Sequence, residues 1–96
     1  MSPKNKKKLE IIRSKLDKLD NSLLSLIKYR TSLVKEVLKL KEFKKEIVDK
    51  KRIKFILKKI QIKSKRLNID QKITNRIWKN MIWSYIDYER RNFKKK

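Results

Sequence analysis

LEIIRSKLDKLDNSLLSLIKYRTSLVKEVLKLK, residues 9–41, is the stretch whose reading decides the fold. Its apolar positions Leu9, Ile12, Leu16, Leu19, Leu23, Ile27, Val34 and Val37 recur at intervals of three and four, with one interval of seven. That is the spacing of one face of an α-helix. The residue inside the longer interval is Arg30. Nothing in the stretch stops a helix, because the chain has no Gly and its single Pro is Pro3. The period therefore predicts a first helix over residues 8–41, about 50 Å long at 1.5 Å per residue. A stripe of that length exceeds what one small monomer covers comfortably, so a partner chain is expected against it.

Outward from this helix the pattern breaks and resumes twice. Residues 42–48 (EFKKEIV) lose the period and form a first connection. Asp49 can cap a second helix over residues 50–66, with Ile53, Ile56, Leu57 and Ile60 turned inward. RLNID, residues 66–70, makes the second connection, and Asp70 can cap a third helix reaching about residue 93. That helix carries Ile73, Ile77, Trp78, Met81, Ile82, Tyr85 and Phe93. The expected class is all-α, with three helices per chain and a long first helix. Residues 1–7 (MSPKNKK) are expected to be a flexible basic N-terminus, residues 8–93 the folded domain, and residues 94–96 (KKK) a basic tail.

Composition narrows the chemistry. Ninety-six residues make one small domain, and oligomerisation is a natural route to stability at that size. The absence of Gly and internal Pro disfavours a turn-rich β fold. With no Cys and no His, disulfides, thiol nucleophiles, imidazole bases and the usual zinc ligands are excluded. The net charge of +21, from 31 Lys and Arg against 10 Asp and Glu, invites a nucleic-acid reading. However, abundant Lys, Ile and Asn with no Gly or Ala is what codon drift in an AT-rich genome would produce. No run of ~18 apolar residues and no signal-peptide pattern is present, so the chain is expected to be soluble and cytoplasmic, without membrane association.

Three cations stand apart from the solvated lysines. Arg13 lies between Leu9 and Leu16, Arg30 between Ile27 and Val34, and Lys41 follows Val34, Val37 and Leu38. At those spacings each shares a helix face with apolar side chains. A buried cation needs a counter-charge or an anionic ligand, unless it snorkels to the rim. Arg30 and Lys41, eleven residues apart, would point within about 20° of each other at ~16 Å along the axis, close enough for long side chains to converge. Arg13 lies about 25 Å before Arg30 and is rotated by about 100°, so an antiparallel partner chain is the easier way to bring it to the same place. On the third helix Glu89 follows Ile82, Tyr85 and Ile86 and precedes Phe93, which puts a carboxyl in the core. Two readings are open for it: a protonated hydrogen-bond donor, or an ion pair with a stripe cation.

These elements together resemble the AroQ-type, all-helical chorismate mutases. The resemblance rests on Arg13, the pair Leu19-Asp20, Arg30 with Lys41 eleven residues on, Asp49 and Arg52 opening the second helix, and Glu89 in an aromatic-rich third helix; it covers about residues 8–92. It implies an intertwined homodimer with two active sites, each taking Arg13 from the partner chain. It also implies rearrangement of chorismate to prephenate without metal or cofactor. In that reading Arg13 and Arg30 clamp the two carboxylates. Lys41 and a protonated Glu89 stabilise charge developing on the ether oxygen, so that Lys41, Glu89 and Arg30 are catalytic. Asp49, Arg52 and Tyr85 complete the substrate-binding set. Two positions depart from the family: Ile53 stands where a Glu usually holds the substrate hydroxyl, and Tyr85 where a small polar residue is common.

Two other functions fit parts of the pattern. A pyruvate lyase acting on isochorismate resembles the mutases in fold, and product analysis, not sequence, separates the two. A basic helical nucleic-acid binder would use the off-stripe lysines, and no base-reading motif supports specific binding.

Overall fold

A computed structural model describes residues 1–94 of the chain. Its three helices are α1, Pro3–Leu40, α2, Lys50–Arg66, and α3, Gln71–Asn92, with a single 3-10 turn at Lys44–Glu46. No strand occurs among the described residues, and none of these helices is long and apolar enough to cross a membrane. The sequence-predicted bounds of α2 and α3 hold to within a residue. Of the tail 94–96, Lys95 and Lys96 lie outside the described residues.

The first helix begins five residues earlier than its apolar period implies. Ser2 Oγ accepts a hydrogen bond from the Asn5 N–H at 3.2 Å, and Pro3 takes the first helical position. A proline there loses nothing, since its missing N–H would have no partner in the first turn and its φ is already helical. Residues 3–7, expected as part of a flexible end, are thus helical. At the other end the helix stops at Leu40, and Lys41 sits one residue beyond it with its N–H on the Leu38 carbonyl.

Contacts divide the chain into two units, Met1–Leu33 and the residues from Val34 on. The first is helix alone. No residue of α1 is buried, and Leu16, Leu19 and Leu23 expose 51%, 56% and 48% of their surface. The second unit holds the core. Ile47, Ile82 and Ile86 are buried, with Ile53, Ile56, Leu57 and Phe93 packed around them.

Two short connections build this core. After α1, the 3-10 turn delivers Ile47 inward, with its N–H on the Lys44 carbonyl. Ile47 exposes only 3% of its surface, although sequence spacing marked its segment as a mere connection. The Ile47–Val48 pair inside a lysine-rich loop was the available signal.

Between α2 and α3 the chain reverses without glycine. The Ile69 N–H reaches the Ser64 carbonyl and the Asn68 N–H the Lys65 carbonyl, the paired bonds of a Schellman cap. That cap needs a left-handed residue, and Asn68 supplies it with φ 55°. Asparagine is the residue that adopts this region most readily after glycine.

The reversal lays late α2 against early α3. Ser64, buried, donates to the Ile60 carbonyl at 2.6 Å and shares a 2.7 Å hydrogen bond with Thr74 Oγ1. One consequence is which face of α3 is covered: Ile73 and Ile77 are half exposed, while Thr74, Ile82, Ile86 and Glu89 are buried. The helix carries two apolar stripes, and α2 covers only one of them. Thr74→Val, which leaves the Ser64 hydroxyl short of a partner, should cost about 1–2 kcal/mol in urea unfolding. The double change Ser64→Ala with Thr74→Val should cost less than the sum of the two single changes.

Candidate active site

Glu89 lies in the last turn and a half of α3, in register with Ile82, Ile86 and Phe93, and exposes only 5% of its surface. A carboxylate taken out of water in this way needs a charged partner. It has one: Lys41 Nζ donates to Glu89 Oε1 at 3.0 Å, with the two side chains 17% and 7% exposed. Of the two readings open for Glu89, the ion pair with a stripe cation is therefore the arrangement observed. The pair ties the residue that follows α1 to the end of α3. Among the described residues, no buried side-chain nitrogen or oxygen lacks a hydrogen-bond partner.

Beside Lys41 an open depression of about 590 Å³ is lined by Glu46, Val48, Asp49, Lys50 and Lys51. Its floor includes the first turn of α2. Asp49 caps that turn, its Oδ1 accepting from the Arg52 N–H at 3.0 Å. The remaining amides of a helix N-terminus carry partial positive charge. Lys41, Lys50 and Lys51 add positive groups to this hollow, and the carboxylates of Glu46 and Asp49 stand in the same lining.

The other expected site residues are placed less uniformly. Tyr85 is half-buried, one turn before Glu89 on the same face of α3. Arg52 is exposed, with its guanidinium 5.3 Å from the centre of the Phe55 ring, so it leans along α2. Ile53 packs against the Ile47–Ile82–Ile86 cluster. It is a core residue here and offers nothing to a substrate hydroxyl. Arg13 and Arg30 belong to the first unit, where Arg13 is exposed and Arg30 half-buried. The geometry thus joins Lys41 with Glu89 and sets Asp49 at the rim of the same hollow. Lys50 and Lys51, which the helical pattern treats as ordinary solvated lysines, are additions to this surroundings.

The arrangement is that of an all-helical protein with a buried lysine–carboxylate pair beside an open hollow lined by charges of both signs. Comparison with known proteins makes this specific. The family model for chorismate mutase type II matches residues 12–90, a span that contains Arg13, Arg30, Lys41, Asp49, Arg52, Tyr85 and Glu89. The chorismate mutase of Methanocaldococcus jannaschii is 38% identical over 76 residues, which is 78% of this chain and 77% of that protein. No solved structure matches the chain at a comparable level of significance. The chain belongs to the type II chorismate mutase family, and its function is that of the family, an intramolecular isomerisation.

Removing one partner of the buried pair should reveal its strength. Lys41→Met leaves Glu89 uncompensated and should destabilise the fold by about 3 kcal/mol. The joint change Lys41→Met with Glu89→Leu should recover most of that loss in the same denaturation assay.

Proposed function

We propose that this chain converts chorismate to prephenate at two equivalent sites of a homodimer, each combining Arg30, Lys41 and Glu89 of one protomer with Arg13 of its partner. The observation that carries the reading is the buried Lys41–Glu89 pair, with Lys41 at the rim of an open hollow that Lys50 and Lys51 also line. Chorismate is a dianion whose ether oxygen gains negative charge as its carbon–oxygen bond breaks. Arg13 and Arg30 suit its two carboxylates, since a guanidinium offers two parallel donors to a carboxylate. Holding the enolpyruvyl arm over the ring supplies the near-attack geometry on which a unimolecular rearrangement depends. Lys41 then meets the ether oxygen as its charge grows. Glu89, taking a proton from solvent as it gives up its contact with Lys41, joins it as a hydrogen-bond donor to the same oxygen. Asp49, Arg52 and Tyr85 form the surroundings, with Tyr85 narrowing the carboxylate end. The proposed setting is the cytoplasm, and the reaction uses no cofactor.

The homodimer is supported by the surface of α1. Leu16, Leu19, Leu23 and Ile27 line one face of that helix and are each about half exposed. A second copy would cover them, at a gain of the order of 1 kcal/mol for each side chain removed from water.

Three measurements test the proposal. Loss of chorismate absorbance should be matched by prephenate formation, without release of pyruvate. Arg30→Ala should lower kcat/KM by about a thousandfold, the loss expected when a bidentate carboxylate clamp is removed. Glu89→Gln, which keeps a donor, should retain most of the turnover, whereas Glu89→Leu should lose about a hundredfold. Site sharing has its own signature. Arg13→Ala and Arg30→Ala chains, each inactive alone, should regain about a quarter of parent activity when unfolded and refolded together. Half of the dimers are then mixed, and each mixed dimer has one intact site. No recovery would mean that Arg13 and Arg30 serve the same chain.

A further inference from the structure

The positive charge of this chain is not spread evenly. In α2, nine of seventeen residues are Lys or Arg and none is Asp or Glu. In α1, 38 residues long, cations are sparser and are interspersed with Glu10, Asp17, Asp20 and Glu36. Codon drift toward lysine would act along the whole chain, and it gives no reason for one helix to shed every carboxylate.

The face that α2 turns away from α3 is organised around Phe55 and Ile62, both exposed and seven residues apart on one side of the helix. They form a shallow groove of about 290 Å³ with Lys58, Lys59, Lys63 and Arg66. At 100° per residue, Lys58 falls on one flank of the Phe55–Ile62 line and Lys59, Lys63 and Arg66 on the other. Phe55 is not free to stack on a base, because Arg52 and Lys59 lie 5.3 and 5.8 Å from its ring centre. Its ring instead holds those two cations in place.

We infer that this face of α2 binds the sugar-phosphate backbone of duplex DNA without sequence selection, as a second activity separate from the isomerisation. The fit is one of charge and width. A helix with its side chains is about 10–12 Å across, and the major groove is about 12 Å wide. Cations on both flanks can therefore reach phosphates on both rims. Lysine predominates, and it reads phosphate as a point charge without base discrimination. A membrane surface fits less well, because two exposed apolar side chains, one of them flanked by cations, bury too little to hold a helix in an interface. An acidic protein would be expected to find polar groups that fix its orientation, and this face has almost nothing but charge.

The test compares two sets of equal charge change. Lys58, Lys59, Lys63 and Arg66 are each changed to Gln in one variant, and Lys4, Lys7, Lys15 and Lys28 in the other. Binding of a fluorescent mixed-sequence DNA duplex is followed by anisotropy across a salt series. The α2 set should weaken binding at least tenfold and make the log–log salt slope shallower by about 3.6, whereas the α1 set should change affinity less than threefold. Chorismate turnover should persist in both variants, so a failure of DNA binding and a failure of the isomerase reading are separable. Equal losses from the two sets would overturn the inference, because net charge alone would then account for binding. Preference of the parent protein for phosphatidylglycerol vesicles or an acidic polypeptide over DNA would overturn it as well. Lysine acylation of the parent protein, mapped with and without the duplex, keeps the question open to refutation should the α2 variant fold poorly: Lys58, Lys59 and Lys63 should be protected, and the four α1 lysines should not.

Discussion

A carboxylate withdrawn from water is stable only beside a charge of opposite sign, and this constraint on Glu89 organises the second unit of the molecule. Its partner Lys41 is the first residue after α1. The 3.0 Å contact therefore sets where the long helix ends relative to the final turns of α3. The same position leaves Lys41 at the edge of the hollow formed with the start of α2. A hydrophobic pair could hold the two segments together at least as well. What a charged pair adds is a lysine that also lines the hollow.

The apolar economy of the single chain is incomplete. Three isoleucines make its buried apolar core, and a helix of 38 residues contributes no buried side chain. The second apolar stripe of α3, marked by Ile73 and Ile77, is also half exposed. Such surfaces on a small chain are what association buries. A shared site is consistent with this, since Arg13 stands too far along α1 to serve easily with Arg30 from the same protomer.

Family membership and the charge distribution address different parts of the molecule. The match over residues 12–90 accounts for the isomerase. It gives no physical reason for nine cations on α2 with no carboxylate among them. The absence of glycine also has a local consequence, because among the described residues the left-handed position of the α2–α3 turn falls to Asn68.

Helical periodicity alone determined three helices and nearly all their boundaries, because a repeat of three and four is written directly in residue order. It also set Arg13, Arg30, Lys41 and Glu89 apart as sharing a face with apolar neighbours; in the structure Glu89 is buried, Lys41 and Arg30 are half-buried, and Arg13 is exposed. Periodicity could not say which stripe of α3 is covered. That depends on the direction in which the Asn68 turn lays α2 down, and it buried Thr74 while leaving Ile73 and Ile77 outside. Nor could it see Ile47, which lies in a connection without a repeat. For Glu89 it left two states open, a neutral donor or an ion pair. Tertiary structure supplied the ion-pair partner by bringing Lys41 within 3.0 Å across 48 residues of sequence, and a Coulombic contact of that range is a fact of folding that no local spacing contains.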